Sequence, residues 1–168
     1  TVDDYLKMIE MKTAALLGAA LQIGALLANA NNEVSKSLND FGRNIGVAFQ
    51  IKDDILDCYG NADLVGKQTG GDILSDKKTF LLIKTLEKAN AEDGAFLNKT
   101  LHNSNIESQQ KIDTVLKLYD KYQVKADAEA HMLSYFNKAI DALEQVPYEN
   151  EQKEIFKAFA ETLIERAF

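Results

Sequence analysis

Nine residues from Phe49 to Asp57, "FQIKDDILD", place Gln50, Asp53, Asp54 and Asp57 at spacings i, i+3, i+4 and i+7. At about 3.6 residues per helical turn those four polar side chains share one stripe. Three carboxylates on adjacent turns repel one another, and the cost rises as water is removed. A bound cation resolves the conflict. Carboxylate oxygens at i and i+4 suit a hard divalent ion, and magnesium takes one or two carboxylates together with waters and substrate phosphates. The alternative is an acidic stripe on a solvated face, the usual fate of a charge run, and spacing alone leaves both readings open. An EF-hand calcium loop is excluded, because the motif is helical and Gly60 is out of register with the aspartates.

Around the stripe the segment from Phe41 to Tyr59 is apolar nearly all round, with Phe41, Ile45, Ala48, Ile55 and Tyr59 roughly opposite it. Such a helix belongs inside a bundle, its carboxylates facing an internal cavity. The stretch that follows, "GNADLVGKQTGGDILSDKK", is glycine-rich and carries Lys67, Lys77 and Lys78 in an otherwise acidic chain. Glycines at 66, 70 and 71 let the backbone bend close to a ligand. Lysines act as point charges for phosphate. Carboxylate, metal, phosphate and lysine make one electrostatic sandwich, which Asp72 can join. Taken singly, each lysine reads equally well as a solvated side chain, and Lys78 is left there.

The elements that must position these groups are helices. Hydrophobic residues make up 46% of the 168, proline occurs once, at Pro147, and runs of β-branched residues are scarce, so one all-α domain is expected. The pattern predicts a helix from about Val2 to Ala28, a turn at 29–32, and a short helix or turn leading through Asn39 and Asp40 into the carboxylate helix. Further helices are expected near 75–88, 91–102, 106–121, 123–145 and 149–167, the last three as scaffolding. Gly18 and Gly24 are expected to allow close approach of a neighbouring helix or of a ligand. The apolar run from Ala14 to Ala28 falls short of the roughly 18–20 residues of a membrane span, so no span is expected. A net charge of −7 argues against a nucleic-acid or anionic-membrane surface. The single cysteine, Cys58, excludes an internal disulfide, reads as a small buried hydrophobe, and suits a reducing, cytoplasmic location. His102 and His131 read as surface or packing residues.

Taken together, "FQIKDDILD" and the downstream "GKQTGGDILSDKKTFLL" resemble the second aspartate-rich motif and following loop of the trans-type isoprenyl diphosphate synthases, the farnesyl, geranylgeranyl and longer polyprenyl diphosphate synthases. Upstream, "YLKMIEMKTAALLGAALQIGALLA" resembles that family's Lys-Thr helix. The resemblance runs from Thr1 to Leu82 with specific motifs and continues as compatible helices. It implies an all-α helical bundle of the isoprenoid synthase type. It also implies magnesium as cofactor, with Asp53 as the direct ligand and Asp54 and Asp57 ligating or holding metal-bound water. Lys12 and Lys67 would grip the allylic diphosphate, with Lys77 on the same phosphate side. Thr13 and Gln50 would lie beside the allylic carbon chain, their oxygens near a developing cation, and Phe49 would line the site.

The implied reaction is head-to-tail transfer of an allylic prenyl group onto isopentenyl diphosphate, in a homodimeric enzyme that needs no side-chain nucleophile. Two departures stand out. Asp76 occupies a place where the family more often has glycine or asparagine. The family's first aspartate-rich motif and its Gly-Lys-Arg segment do not occur in these residues, so the expectation is the C-terminal portion of a synthase, folded and self-associating but inactive alone. A non-catalytic helical partner of a synthase, or a related terpene cyclase, are the rival readings. The first predicts degraded motifs, and the second an Asn/Ser/Glu metal motif. The sequence shows neither.

Overall fold

A computed structural model describes residues 1–60, 69–147 and 149–165. They are helical throughout, with no strand among them. In chain order the helices are α1 (Val2–Ile9), a π-helical turn (Glu10–Ala14), α2 (Ala15–Leu27), α3 (Asn32–Tyr59), α4 (Gly71–Leu74), α5 (Phe80–Lys88), α6 (Ala91–Leu101), α7 (Ser108–Lys121), α8 (Val124–Glu144) and α9 (Asn150–Glu165). The chain divides into two compact units. One combines Thr1–Tyr5 with the described residues of Asp53–Glu129, the other Leu6–Lys52 with the described residues from Ala130 onward.

The first unit is organised on α7, which packs against α4, α5 and α6. Its apolar face, Ile112, Val115, Leu118 and Tyr119, repeats at helical spacing and is buried. Side-chain caps start α5, α6 and α7. The Thr79 hydroxyl accepts the Leu82 amide at 3.3 Å to cap α5, and Asn90 accepts that of Asp93 at 2.8 Å to cap α6. Glu107 accepts the amides of Gln109 and Gln110 at 3.0 and 2.9 Å to open α7. The capping threonine explains why the expected helix at 75–88 begins later: residues 75–78 lie outside it and only Gly71–Leu74 makes a separate turn.

In the second unit the core gathers Val34, Leu38, Phe41, Ile45 and Ala48 of α3 with Ala139, Leu143 and Val146 and with Ala160 of α9. Phe41 meets Phe156 edge to face at 5.9 Å. The carboxylate helix is longer than its motif suggested. Asn31 accepts the Val34 amide at 2.9 Å, and α3 then runs unbroken from Asn32 to Tyr59, straight through Asn39 and Asp40. Neither residue breaks it, because Asn39 is held by Gln22 at 3.1 Å and Asn44 bonds back to the Asp40 carbonyl at 2.8 Å.

Residues Val2–Leu27 form one continuous helical stretch, long and apolar enough by length and composition to cross a membrane. The shorter run counted in the sequence had left out α1 and the π turn. One face of it packs on α3, while much of its apolar surface is exposed. The Arg43 Nε donates to Glu10 at 3.1 Å, and small residues let the helix lie directly on α3. A Cβ on Gly46 would come within 2.8 Å of the Ala14 backbone, and one on Gly42 within 2.8 Å of Gly18. Gly18 thus makes the expected close approach, whereas a Cβ on Gly24 would meet nothing within 4 Å.

That contrast predicts opposite signs for one substitution. Gly46→Ala should lower stability by about 1–3 kcal/mol, because backbone must move to admit the methyl. Gly24→Ala should raise it by roughly 0.5–1 kcal/mol, since alanine costs less chain entropy in an open helical position. Urea unfolding of both variants measures the difference, and equal changes would mean the two helices are not in contact at Gly46.

Candidate functional site

The three aspartates of the stripe sit in three different environments. Asp53 is exposed, Asp57 half-buried and Asp54 buried, 6% accessible. One oxygen of Asp54 accepts the Tyr5 hydroxyl at 2.7 Å and the Phe80 amide at 2.8 Å. The Phe80 amide is the first of α5, where a carboxylate also meets the positive end of the helix dipole. Tyr5 packs edge to face on Phe80 with ring centres 6.1 Å apart. Asp54 therefore pins α1 and α5 to α3.

Asp57 is matched to the turn that carries the lysines. Its Oδ2 accepts the Asp72 amide at 2.9 Å, and its carbonyl accepts the Gly70 amide at 2.6 Å. Two glycines make this possible. Gly70 adopts φ +83°, and a Cβ there would run into Ile112 at 2.8 Å, while a Cβ on Gly71 would crowd the Asp57 carboxylate at 3.2 Å. Asp72 then holds the Lys77 ammonium through both oxygens, at 2.9 and 3.0 Å. Asp57, the 70–72 turn and Lys77 form one connected acidic and basic cluster. The hydrogen bond from Lys77 to Asp72 raises the lysine pKa further, so it stays charged. Burial pushes the Asp57 carboxyl up, against the pull of the Asp72 amide.

Asp76 resolves its departure from the family pattern. It adopts φ +52°, the left-handed region in which glycine and asparagine are at ease. Its carboxylate in turn holds Lys111, a buried residue of α7, at 2.7 Å.

Lys12 and Thr13 lie in the π turn, where the Ala15 amide reaches back five residues to the Glu10 carbonyl. Such turns interrupt a helix at functional positions more often than elsewhere. Lys12 is exposed and Thr13 half-buried, as are Phe49 and Gln50 on α3. Thr13 and Phe49 line one apolar cavity of about 330 Å³. Lys67 lies outside the described residues, as does Gly66. Lys78 borders a separate cavity of 150 Å³ with Leu82, Leu101 and His102.

Among the described residues no three His, Cys, Asp or Glu side chains converge as a self-sufficient metal cage. The donor chemistry nonetheless fits magnesium, which binds through one or two carboxylates and completes its shell with water and phosphate oxygens. Asp53 is exposed and Asp57 half-buried, while one oxygen of Asp54 is already committed to two donors. Sequence reasoning missed Tyr5, Phe80 and Lys111. Nothing in their spacing to Asp54 or Asp76 signals the bonds they make. Gly42 and Gly46 were missed as well, although two small residues one turn apart on one helix are a signal that could have found them.

Burial raises the Asp54 carboxyl from its usual 3.8 to about 6, the two donors pulling the other way. The folded chain thus holds this proton through a pH range in which the unfolded chain has lost it. The resulting stabilisation is complete below about pH 4 and is lost as pH rises through about 6, a change on the order of 3 kcal/mol. Without divalent cations, the protein should lose that much more stability between pH 4 and 7 than Asp54→Asn, whose amide oxygen still accepts from Tyr5 and Phe80. Parallel pH profiles in urea unfolding would show that Asp54 titrates normally.

Comparison with known proteins places these features. The chain is 40% identical over 145 residues to the geranylgeranyl diphosphate synthase of Sulfolobus acidocaldarius, covering 85% of this chain and 43% of that protein. It superposes on the crystal structure of a geranylgeranyl pyrophosphate synthetase from Pyrococcus horikoshii with a TM-score of 0.90 and 30% identity, over 99% of this chain and 50% of that one. A polyprenyl synthase from Caulobacter crescentus, crystallised with calcium and isoprenyl diphosphate, matches at a TM-score of 0.86 and 27% identity, over 98% of this chain and 49% of that one. The chain spans about half the length of the curated relatives it matches. A family model described as polyprenyl synthetase matches residues 1–119, the span that holds the π turn, the carboxylate helix and the Asp72–Lys77 turn. By that match and these likenesses the chain belongs to the polyprenyl synthetase family.

Proposed function

We propose that this chain supplies the diphosphate-holding wall of a magnesium-dependent trans-prenyltransferase that joins an allylic diphosphate to isopentenyl diphosphate. The observation that carries the reading is the Asp57, Asp72 and Lys77 cluster, in which a hydrogen-bonded glycine turn ties the lysine motif to the aspartate motif. The calcium and isoprenyl diphosphate of the Caulobacter crescentus structure lend support from a similar protein. The prenyl diphosphate named for the relatives supports the substrate class.

In this reading Asp53 and Asp57 hold the ion, and Asp54 fixes the helix that presents them. Magnesium, when bound, supplies positive charge to the diphosphate leaving group. Lys12 and Lys67 donate to diphosphate oxygens, and Lys77, kept protonated by Asp72, adds charge on the same side. Thr13 and Gln50 turn their oxygens toward the allylic carbons, where positive charge develops as the carbon–oxygen bond breaks. The double bond of isopentenyl diphosphate then attacks that carbon, and the proton released goes to the departing diphosphate. Neither His102 nor His131 takes part. Met11, Leu16, Ile23, Leu26 and Leu27 leave apolar surface exposed on the α1–α2 stretch, which supports self-association as a homodimer. A cytoplasmic location fits the single buried thiol of Cys58.

Asp53→Asn in an active synthase containing this chain should cut turnover at least about a hundredfold, through lost charge at the leaving group. Helicity should stay intact, because the substitution relieves repulsion on the stripe. Near-normal turnover would remove Asp53 from the site. In titrations with an unreactive allylic diphosphate analogue and magnesium, Lys67→Ala should weaken binding more than Lys78→Ala. A larger loss at Lys78 would move the phosphate site to the Leu82 and His102 cavity.

A further inference from the structure

Residues 70–77, which carry Lys77, are curved by bonds among themselves and placed by contacts at their two ends. Within the segment the Asp76 amide donates to the Ile73 carbonyl at 3.3 Å and the Lys77 amide to the Asp72 carbonyl at 3.0 Å. The Ser75 hydroxyl donates to the Gly71 carbonyl at 2.7 Å. These bonds set the curve and leave its position open. The first end is placed by Asp57, which takes the Gly70 and Asp72 amides, and by Ile112 of α7, against which the Gly70 backbone lies. At the other end, among the described residues, the polar tie from positions 73–77 to another helix is the 2.7 Å bond from Lys111 to Asp76. Lys111 and Ile112 are neighbours on α7, so one short stretch of that helix meets the segment at both ends.

The Lys111 side chain is only 9% exposed, whereas that of Asp76 is 43% exposed. An ammonium taken that far out of water needs an opposite charge, yet an apolar residue in its place is often as stable or more so. What such a pair supplies is direction. Here the carboxylate belongs to the residue just before Lys77, so any shift at position 76 passes straight into the lysine backbone. Asp72 holds the far end of the same side chain, at the ammonium. We propose that Lys111 is a positioning residue for Lys77: through Asp76 it sets where that lysine leaves the turn, and hence its aim at the diphosphate. The proposal rests on the functional reading above and deepens it by giving α7, which carries no motif, a part in holding the substrate.

Two substitutions cut the tie from opposite sides. Lys111→Met removes the ammonium and keeps an unbranched, adaptable side chain, and Asp76→Gly removes the carboxylate at a position where positive φ suits glycine. In an active synthase containing this chain, each should lower kcat/KM for the allylic diphosphate about fivefold and leave KM for isopentenyl diphosphate unchanged. Made in a Lys77→Ala background, the same substitutions should lower kcat/KM by less than about twofold, because the group they aim is gone. A pair that only stabilises the fold should instead lower the urea midpoint, affect both substrates alike, and act equally with and without Lys77. That pattern, or a folded variant with no loss, would overturn the positioning role and leave the proposed function intact. Should Lys111→Met not fold, Asp76→Gly decides alone. If Lys77→Ala by itself leaves kcat/KM for the allylic diphosphate unchanged, the assignment of Lys77 falls, and its positioning by Lys111 with it.

Discussion

Everything in the first unit hangs on how three like charges on one helix are kept apart in environment. Adjacent carboxylates cannot all be desolvated without cost, and helix geometry forbids separating them in space. The protein separates them by depth. Asp54 is taken inside and satisfied by two donors from other elements, Tyr5 and Phe80. Asp57 is half covered and takes one amide from the glycine turn, and Asp53 is left to solvent. The buried one does structural work because it is buried. Removing a partner from a desolvated carboxylate is far more costly than removing one at the surface. An ion at the outer two, as proposed, would relieve the remaining repulsion.

The second unit solves a different problem, bringing a helix with Lys12 and Thr13 against a helix with Phe49. Large side chains would hold the axes apart, so the contact is built from Ala14 and Gly18 against Gly42 and Gly46. Close packing of backbones leaves the larger Leu16 and Leu17 to flank the contact, and the cavity opens there. The π turn belongs to the same arrangement. Its ends are tied by Glu10, whose carbonyl takes the long hydrogen bond and whose carboxylate takes Arg43. The same residue closes the irregular turn by its backbone and anchors it to α3 by its side chain.

The helical class and the apolar face of the carboxylate helix were legible because each depends on spacing along one element. Phe41, Ile45, Ala48 and Ile55 are buried where periodicity put them. Long-range pairings were not legible. Tyr5 reads as one more apolar residue with Val2 and Ile9, and nothing at position 5 announces a carboxylate 49 residues away. The start of α5 was misplaced for a local reason: Ser75 can cap as well as Thr79, and the choice falls to the residue whose following amide meets Asp54. Gly24 drew attention by its type alone, while Gly42 and Gly46, whose spacing carried the information, were passed over.

Asp76 shows how a departure from a family pattern can be a compensated exchange rather than damage. The turn before Lys77 needs one residue at positive φ, which glycine supplies at no steric cost and aspartate supplies at some strain. What aspartate adds is a partner for Lys111, an ammonium that α7 carries at a buried position. A buried lysine without an opposite charge is costly, so the two residues make sense only together. The ion pair also ties the turn to α7, the helix on which the first unit is built. Asp72 works the same way one turn earlier, holding Lys77 while its amide holds Asp57. Two aspartates four residues apart thus bind two lysines of different fate. One lysine is drawn into the scaffold, and the other is kept charged and exposed beside Asp72.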